Sequence, residues 1–299
     1  MTSFLIKVPA STANIGPGFD SAGIALTRYL TLHVESSDEW MFEHRSFHLP
    51  EVTNYEDHFI YQMAKKTAEI YQKELPAAHI IMYSDIPLAR GLGSSSSAII
   101  AAIELADQLC SLSLSREEKL RIAAKFEGHP DNVAPCILGG IVVAAQFDDG
   151  EIDYYHQLES DVDLVVYIPQ FELKTEDARK ALPAEYSRTH ATRASAVANV
   201  MFTALLAGNY ELAGKMMEKD LFHEPYRASL LPEYEQIRQD AKSAGAYGTV
   251  ISGAGPTMMS LVPKGKGETI AQALQVTLNN YEVASLQIDT RGAFTEVQS

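Results

Sequence analysis

Over residues 58–74 apolar positions recur at helical spacing: Phe59, Met63, Ala64, Thr67, Ile70 and Tyr71 form one stripe, with Lys65, Lys66, Glu69 and Lys73 opposite. That pattern predicts an amphipathic surface helix. Upstream, FLIKV and ALTRYLTLHVE are rich in β-branched and aromatic residues and predict strands flanking a Gly/Pro-rich loop. SSSAIIAAIELADQLCSL has small or apolar residues on nearly every side and predicts a buried helix. SREEKLRIAAKFEG predicts the next, because Ser115 and Glu118 have capping-box spacing and Gly128 suits the stop.

GGIVVAAQF and DLVVYIP then read as strands separated by the acidic, turn-rich DDGEIDYYHQLESD. Helices follow at TRASAVANVMFTALLAG, YELAGKMMEKDL and PEYEQIRQDAKSAG, then strands at GTVISGAGPTMMSLV and YEVASLQIDT around a glycine turn. No repeat period or low-complexity tract interrupts this order, so the class is α+β. A chain of 299 residues exceeds a usual single core, and the acidic stretch places a boundary between domains 1–157 and 158–299.

Composition narrows the function. With 46% hydrophobic and 21% charged residues the chain builds a real core. A net charge of −15, from 24 Lys and Arg against 39 Asp and Glu, repels a phosphate backbone and argues against a nucleic-acid partner. The longest apolar runs are far shorter than the roughly 20 residues that span a bilayer. MTSFLIKVPAS lacks a long apolar segment, so no membrane partner and a cytoplasmic location are expected. Cys110 and Cys136 make neither a disulfide framework nor a zinc spacing, and read as buried small hydrophobes. The two histidines of HRSFH lie off a helix and suggest no metal site.

Candidate chemistry centres on PLARGLGSSSSA, where a strand, a glycine-rich turn and a helix opening on serines form an anion-binding arrangement. It is neither a Walker A loop, lacking GK[ST], nor GxGxxG, since Ser96 replaces the last glycine. It also lacks the GxSxG of a serine hydrolase. Two further glycine-rich loops, PASTANIGPGFDSAG at 9–23 and SGAGPTMMSLV at 252–262, accompany it.

In order and residue detail these three loops resemble the signature motifs of the GHMP kinases, a superfamily named for galactokinase, homoserine kinase, mevalonate kinase and phosphomevalonate kinase. PASTANIGPGFDSAG, EGHPDNVAPCILGG, TEDARKALP and EPYRASLLP are similar in detail to the homoserine kinase family. The resemblance implies an N-terminal domain like the second domain of ribosomal protein S5 and a ferredoxin-like C-terminal domain. It implies ATP and Mg²⁺, transfer of the γ-phosphoryl group to the side-chain hydroxyl of L-homoserine on the way to threonine, and a homodimer.

Mapped onto this sequence, the resemblance puts the ATP phosphates on Pro87, Leu88, Ala89, Arg90, Gly91, Leu92, Gly93, Ser94, Ser95, Ser96 and Ser97, with Arg90 at the rim. Ser95 and Glu127 would hold Mg²⁺, with Ser94 or Ser96 as alternatives within the serine run. Arg179 and Arg227 would clamp the substrate carboxylate, Asp20 would take the ammonium, and Asn14, His129 and Asp131 would complete the substrate site. Asn132 and Thr175 would join Arg179 at the reacting groups. Asp131 is the sequence candidate for a general base, but a dissociative transition state needs none. The family resemblance favours the second reading. Gly253 and Gly255 predict a rigid turn near phosphate or substrate, and NYEDHFIYQMA should border the adenine, with His58 where many relatives carry Asn. Kinases for another small alcohol and a non-catalytic nucleotide sensor remain as alternatives.

Overall fold

The computed structural model describes residues 3–49 and 52–298. The first half runs β1 (Ser3–Ala13), β2 (Ala22–Ser36), β3 (Met41–His44), α1 (Phe59–Ile70) and β4 (Ala78–Ser84). Helices α2 (Ser94–Cys110), α3 (Arg116–Glu127) and α4 (Pro130–Leu138) follow, then strands β5 (Ile141–Gln146) and β6 (Ile152–Gln157). The second half contains β7 (Val162–Pro169), α5 (Thr175–Lys180), α6 (Arg188–Leu206), α7 (Tyr210–Met217), the single turn α8 (Glu224–Arg227) and α9 (Tyr234–Ser243). It closes with β8 (Gly248–Ile251), β9 (Met258–Pro263), α10 (Gly267–Gln275), β10 (Tyr281–Leu286) and β11 (Phe294–Gln298).

The first sheet has the order β11-β1-β2-β4-β3, with β5 and β6 branching from the start of β2. That branch is possible because β2 is 15 residues long: Ala22–Ile24 pair with β5 while Leu30–Ser36 pair with β4. A register shift between Pro9 and Ala10 marks a bulge where the β1–β2 ladder re-aims. The second sheet is antiparallel, in the order β10-β7-β9-β8. In chain order that is 4-1-3-2, the ferredoxin-like arrangement expected.

Strand β7 is buried along its whole length. Its alternation sends Leu164, Val166 and Ile168 into the core shared with Ile6, Ile24, Ile80, Ile99 and Ile103, while Val165 and Tyr167 face a smaller core under α9 and α10 with Ile237, Ala241, Ile270 and Leu274. One continuous hydrophobic cluster therefore joins the two halves.

At four points the structure departs from the pattern of the sequence. The stretch taken for acidic turns contains β6, whose alternation of exposed and half-buried residues is enough to pair it with β5. The C-terminal segment crosses back, because β11 pairs antiparallel with β1 over Ser3–Lys7 and covers what would be a bare sheet edge. Cys110 is only half-buried, although Cys136 is fully so. The predicted helix at 58–74 stops at Ile70, with Gln72 at a φ of 54°. No helix among the described residues is long and apolar enough to cross a membrane.

Candidate active site

The serine loop sits where β4 gives way to α2. Gly93 caps that helix at a φ of 70° and offers no side chain to the first-turn N–H groups. A Cβ on Gly91 would stand 2.4 Å from the Ser252 carbonyl oxygen, and one on Gly93 2.3 Å from Ser11 Oγ, so only glycine lets the three loops meet. The carbonyls of Ala89, Arg90, Gly91 and Leu92 accept from Leu173 N, Thr257 N, Ser252 Oγ and Ser11 N. The loop's acceptors are thus spent internally, which leaves its N–H donors for an anion.

The serines divide by helical position. Ser95 Oγ and Ser96 Oγ donate to the two carboxylate oxygens of Glu127 at 3.3 and 3.0 Å. Ser97, fully buried, donates to Pro9 O and Gly93 O instead. Glu127 ends α3 just before the Gly128 cap, and burial pushes its pKa above the usual carboxylate range against the pull of His129 and both serines. Hydroxyls converging on a partly buried carboxylate make a cradle of hard oxygens that fits Mg²⁺.

The HPDN segment opens α4, with Pro130 in its first turn. His129 Nδ1 pairs with Asp131 Oδ1; burial opposes the imidazolium, but that hydrogen bond and charge hold its pKa above the ordinary value. Asn132 Oδ1 accepts from Ser11 Oγ at 2.9 Å and its Nδ2 donates to Asp131 Oδ1 at 3.5 Å, which leaves the second Nδ2 hydrogen for a ligand. Cys136 Sγ donates in turn to Ser11 Oγ at 3.3 Å.

Asn14, in the left-handed region at a φ of 70°, donates through Nδ2 to Gly253 O and accepts from Asp20 N. Arg179 grips Asp20 with both terminal nitrogens, at 2.8 and 3.2 Å, and both side chains are about one-third exposed. Arg227 is 2% exposed, and burial lowers its pKa, with the charge of Arg179 adding to the effect. A cavity is lined by Asn14, Asp20, Glu127, His129, Asp131, Asn132, Thr175, Arg179 and Arg227 together with Ala89, Gly91, Gly93, Ser94 and Ser95. Beside it an apolar cavity of about 370 Å³, lined by Leu30, Leu49, Met82, Ile86 and His58, opens next to Ser94 and Ser95.

Most of the expected residues therefore meet, with exceptions. Arg90 does not reach the rim: it donates to Leu88 O, Pro169 O and Gln170 O and pairs with Glu172, tying the loop to the second half. Pro87, Leu92, Ser96 and Ser97 are buried, and Leu88 faces other hollows, so none of these five lines the central cavity. Asp20 and Arg179, expected on opposite ends of a substrate, hold each other. Sequence reasoning missed Ser11, which orients Asn132, and His223, which touches Arg227; the i, i+4 spacing of His223 and Arg227 in HEPYR was the available signal.

Comparison with known proteins shows the family. The family models for the GHMP kinases N terminal domain and GHMP kinases C terminal match residues 58–140 and 201–280. A homoserine kinase of Bacillus velezensis is 50% identical over 293 residues, covering 98% of this chain and 94% of its own. One from Oceanobacillus iheyensis is 48% identical, covering 98% of each. Among solved structures, homoserine kinase from Cytophaga hutchinsonii superposes with a TM-score of 0.85 at 26% identity, over 98% of this chain and 97% of that one. The chain belongs to the GHMP kinases and, among them, to the homoserine kinase family.

Proposed function

We propose that the central cavity is where MgATP and L-homoserine meet, and that the named side chains act by holding and orienting rather than by taking a proton early. The single observation that carries this is the convergence of an N–H-rich phosphate loop, the Ser95–Glu127 pair braced from behind by Ser96, and two arginines with Asp20 on one cavity. The adenine would lie in the neighbouring apolar hollow against His58. Mg²⁺ would sit on Ser95 or Ser96 and Glu127 and neutralise charge on the phosphate oxygens.

An amino acid carries both charges, so it exchanges one internal ion pair for two external ones: its ammonium takes Asp20 and its carboxylate takes Arg179 and Arg227. A neutral sugar or alcohol gains nothing in return for parting them. Asn132 Nδ2 then donates to the acceptor hydroxyl oxygen and fixes it in line. That oxygen forms the new bond to the γ-phosphorus as the bond to the β-phosphate oxygen breaks and ADP leaves. Asp131 is committed to His129 and serves as a holder, while the hydroxyl proton passes late to an oxygen of the transferred phosphoryl group, as a dissociative transition state permits. We also read the chain as a cytoplasmic homodimer on its family likeness, a reading that mass measurement under native conditions tests.

The decisive assay couples ADP release to acceptor identity, with MgATP and L-homoserine, L-serine, mevalonate, galactose or no acceptor. ADP release is expected with L-homoserine; release only with mevalonate or galactose, or none with any, overturns the reading.

A further inference from the structure

The guanidinium of Arg227 is almost wholly spent inside the protein. Its Nε donates to Ala178 O at 3.4 Å, while Nη1 donates to Gly253 O and to His223 Nδ1, both at 3.1 Å. Among the described residues no partner takes Nη2, which is therefore the donor left for the cavity that Arg227 lines.

His223 is fully buried, and its partners decide its tautomer. A carbonyl only accepts, so Nε2, 2.9 Å from Gly16 O, carries the proton. A guanidinium only donates, so Nδ1 presents its lone pair to Arg227. Asp220 holds the backbone beneath the ring, accepting from the N–H groups of Phe222, His223 and Glu224 at 2.8–2.9 Å. Phe19 stacks on the imidazole at 5.4 Å and lies under the Arg227 guanidinium at 5.5 Å.

We propose that His223 is a positioning residue for the phosphoryl acceptor: as the neutral Nε2–H imidazole it pins Nη1 of Arg227, so that Nη2 is presented to the acceptor carboxylate, and anchors that arginine to Gly16 of the first loop. This rests on the reading that L-homoserine binds with its carboxylate on Arg227. Side chains that keep an acceptor at the Nδ1 position preserve the function, and those that only fill space do not.

Steady-state kinetics of His223→Leu and His223→Asn, with both substrates varied and thermal melting recorded alongside, test it. Leu removes the acceptor, and the KM for L-homoserine should rise roughly tenfold with the KM for ATP within twofold. Asn keeps an amide oxygen near Nδ1, and should stay within about threefold of wild type on both substrates. A homoserine KM in the Leu variant that moves no more than the ATP KM overturns the proposal, as does an Asn variant as impaired as Leu while still melting cooperatively. Should the Leu variant not fold, His223→Gln replaces it: its amide reaches towards the Nε2 position, so it should be worse than Asn, and the opposite ranking overturns the role. A wild type inactive on L-homoserine overturns the underlying reading as well, whereas an active wild type with an unmoved variant overturns this proposal alone.

Discussion

Single side chains here are governed by what burial does to charge. Glu224, fully buried, accepts from Tyr234 OH and Ile251 N, yet burial outweighs both bonds and pushes its pKa up from 4.5 to about 8. The folded state thus binds this proton more tightly than the unfolded chain, so its contribution favours folding at low pH and is lost as pH rises from about 4.5 towards 8. Glu224→Gln is expected to flatten the fall of melting temperature between about pH 5 and 8; parallel curves for variant and wild type would refute the assignment. The Asp20–Arg179 pair is the opposite case, about one-third exposed and worth about 0–1 kcal/mol to stability. Its value lies in what it releases to a ligand. At this scale sequence reading found the acid and base partners but could not foresee that they would hold each other, because the pairing joins positions 159 residues apart.

A helix assigns identical residues different duties through its period alone. In α2, Ser95 and Ser96 point their hydroxyls at Glu127, whereas Ser97 turns back to Pro9 O and Gly93 O. Ser97→Ala should therefore cost only about 0.5–1.5 kcal/mol, because Gly93 O keeps the Ser97 backbone N–H and Pro9 O keeps Cys136 Sγ, with the Mg²⁺ requirement unchanged. Combined Ser95→Ala and Ser96→Ala should raise the Mg²⁺ concentration needed for half-maximal rate with little loss in melting temperature. Metal titrations and melts that reverse this assignment would show the split to be wrong. The helix itself was legible from its small apolar residues, and α3 from a capping box whose two arms both form. Strand β6 was not, because Ile152, Asp153, Tyr154, Tyr155, His156 and Gln157 bury only one shallow face. Nor was the end of α7, where Asp220 diverts the backbone into a turn that no periodicity announces.

At the scale of the molecule, the two halves are stitched rather than hinged on a linker. Arg90 reaches the second half, one hydrophobic cluster runs through both sheets, and β11 closes the first sheet from the far end of the chain. Truncation after Ala293 strips the cover from β1 over Ser3–Lys7, and is expected to lower the melting temperature and promote self-association through that edge. Unchanged melting and a monodisperse species of unaltered mass would count against it. The order of helices and strands was readable from pattern, and the three loops from their glycines. The return of β11 was not, since five residues with mostly exposed side chains carry little signal on their own.

The order in which the chain is made matters to the site. The Gly253 carbonyl is shared by Asn14 and Arg227, so residues from the start, the last third and nearly the end of the chain must all be present before the acceptor wall exists. The phosphate loop is no earlier, because its own carbonyls are held by Leu173 N, Ser252 Oγ and Thr257 N. Catalytic competence is therefore acquired late in translation and as a unit, and a fragment cut anywhere before Gly253 should neither cradle nucleotide nor spend ATP.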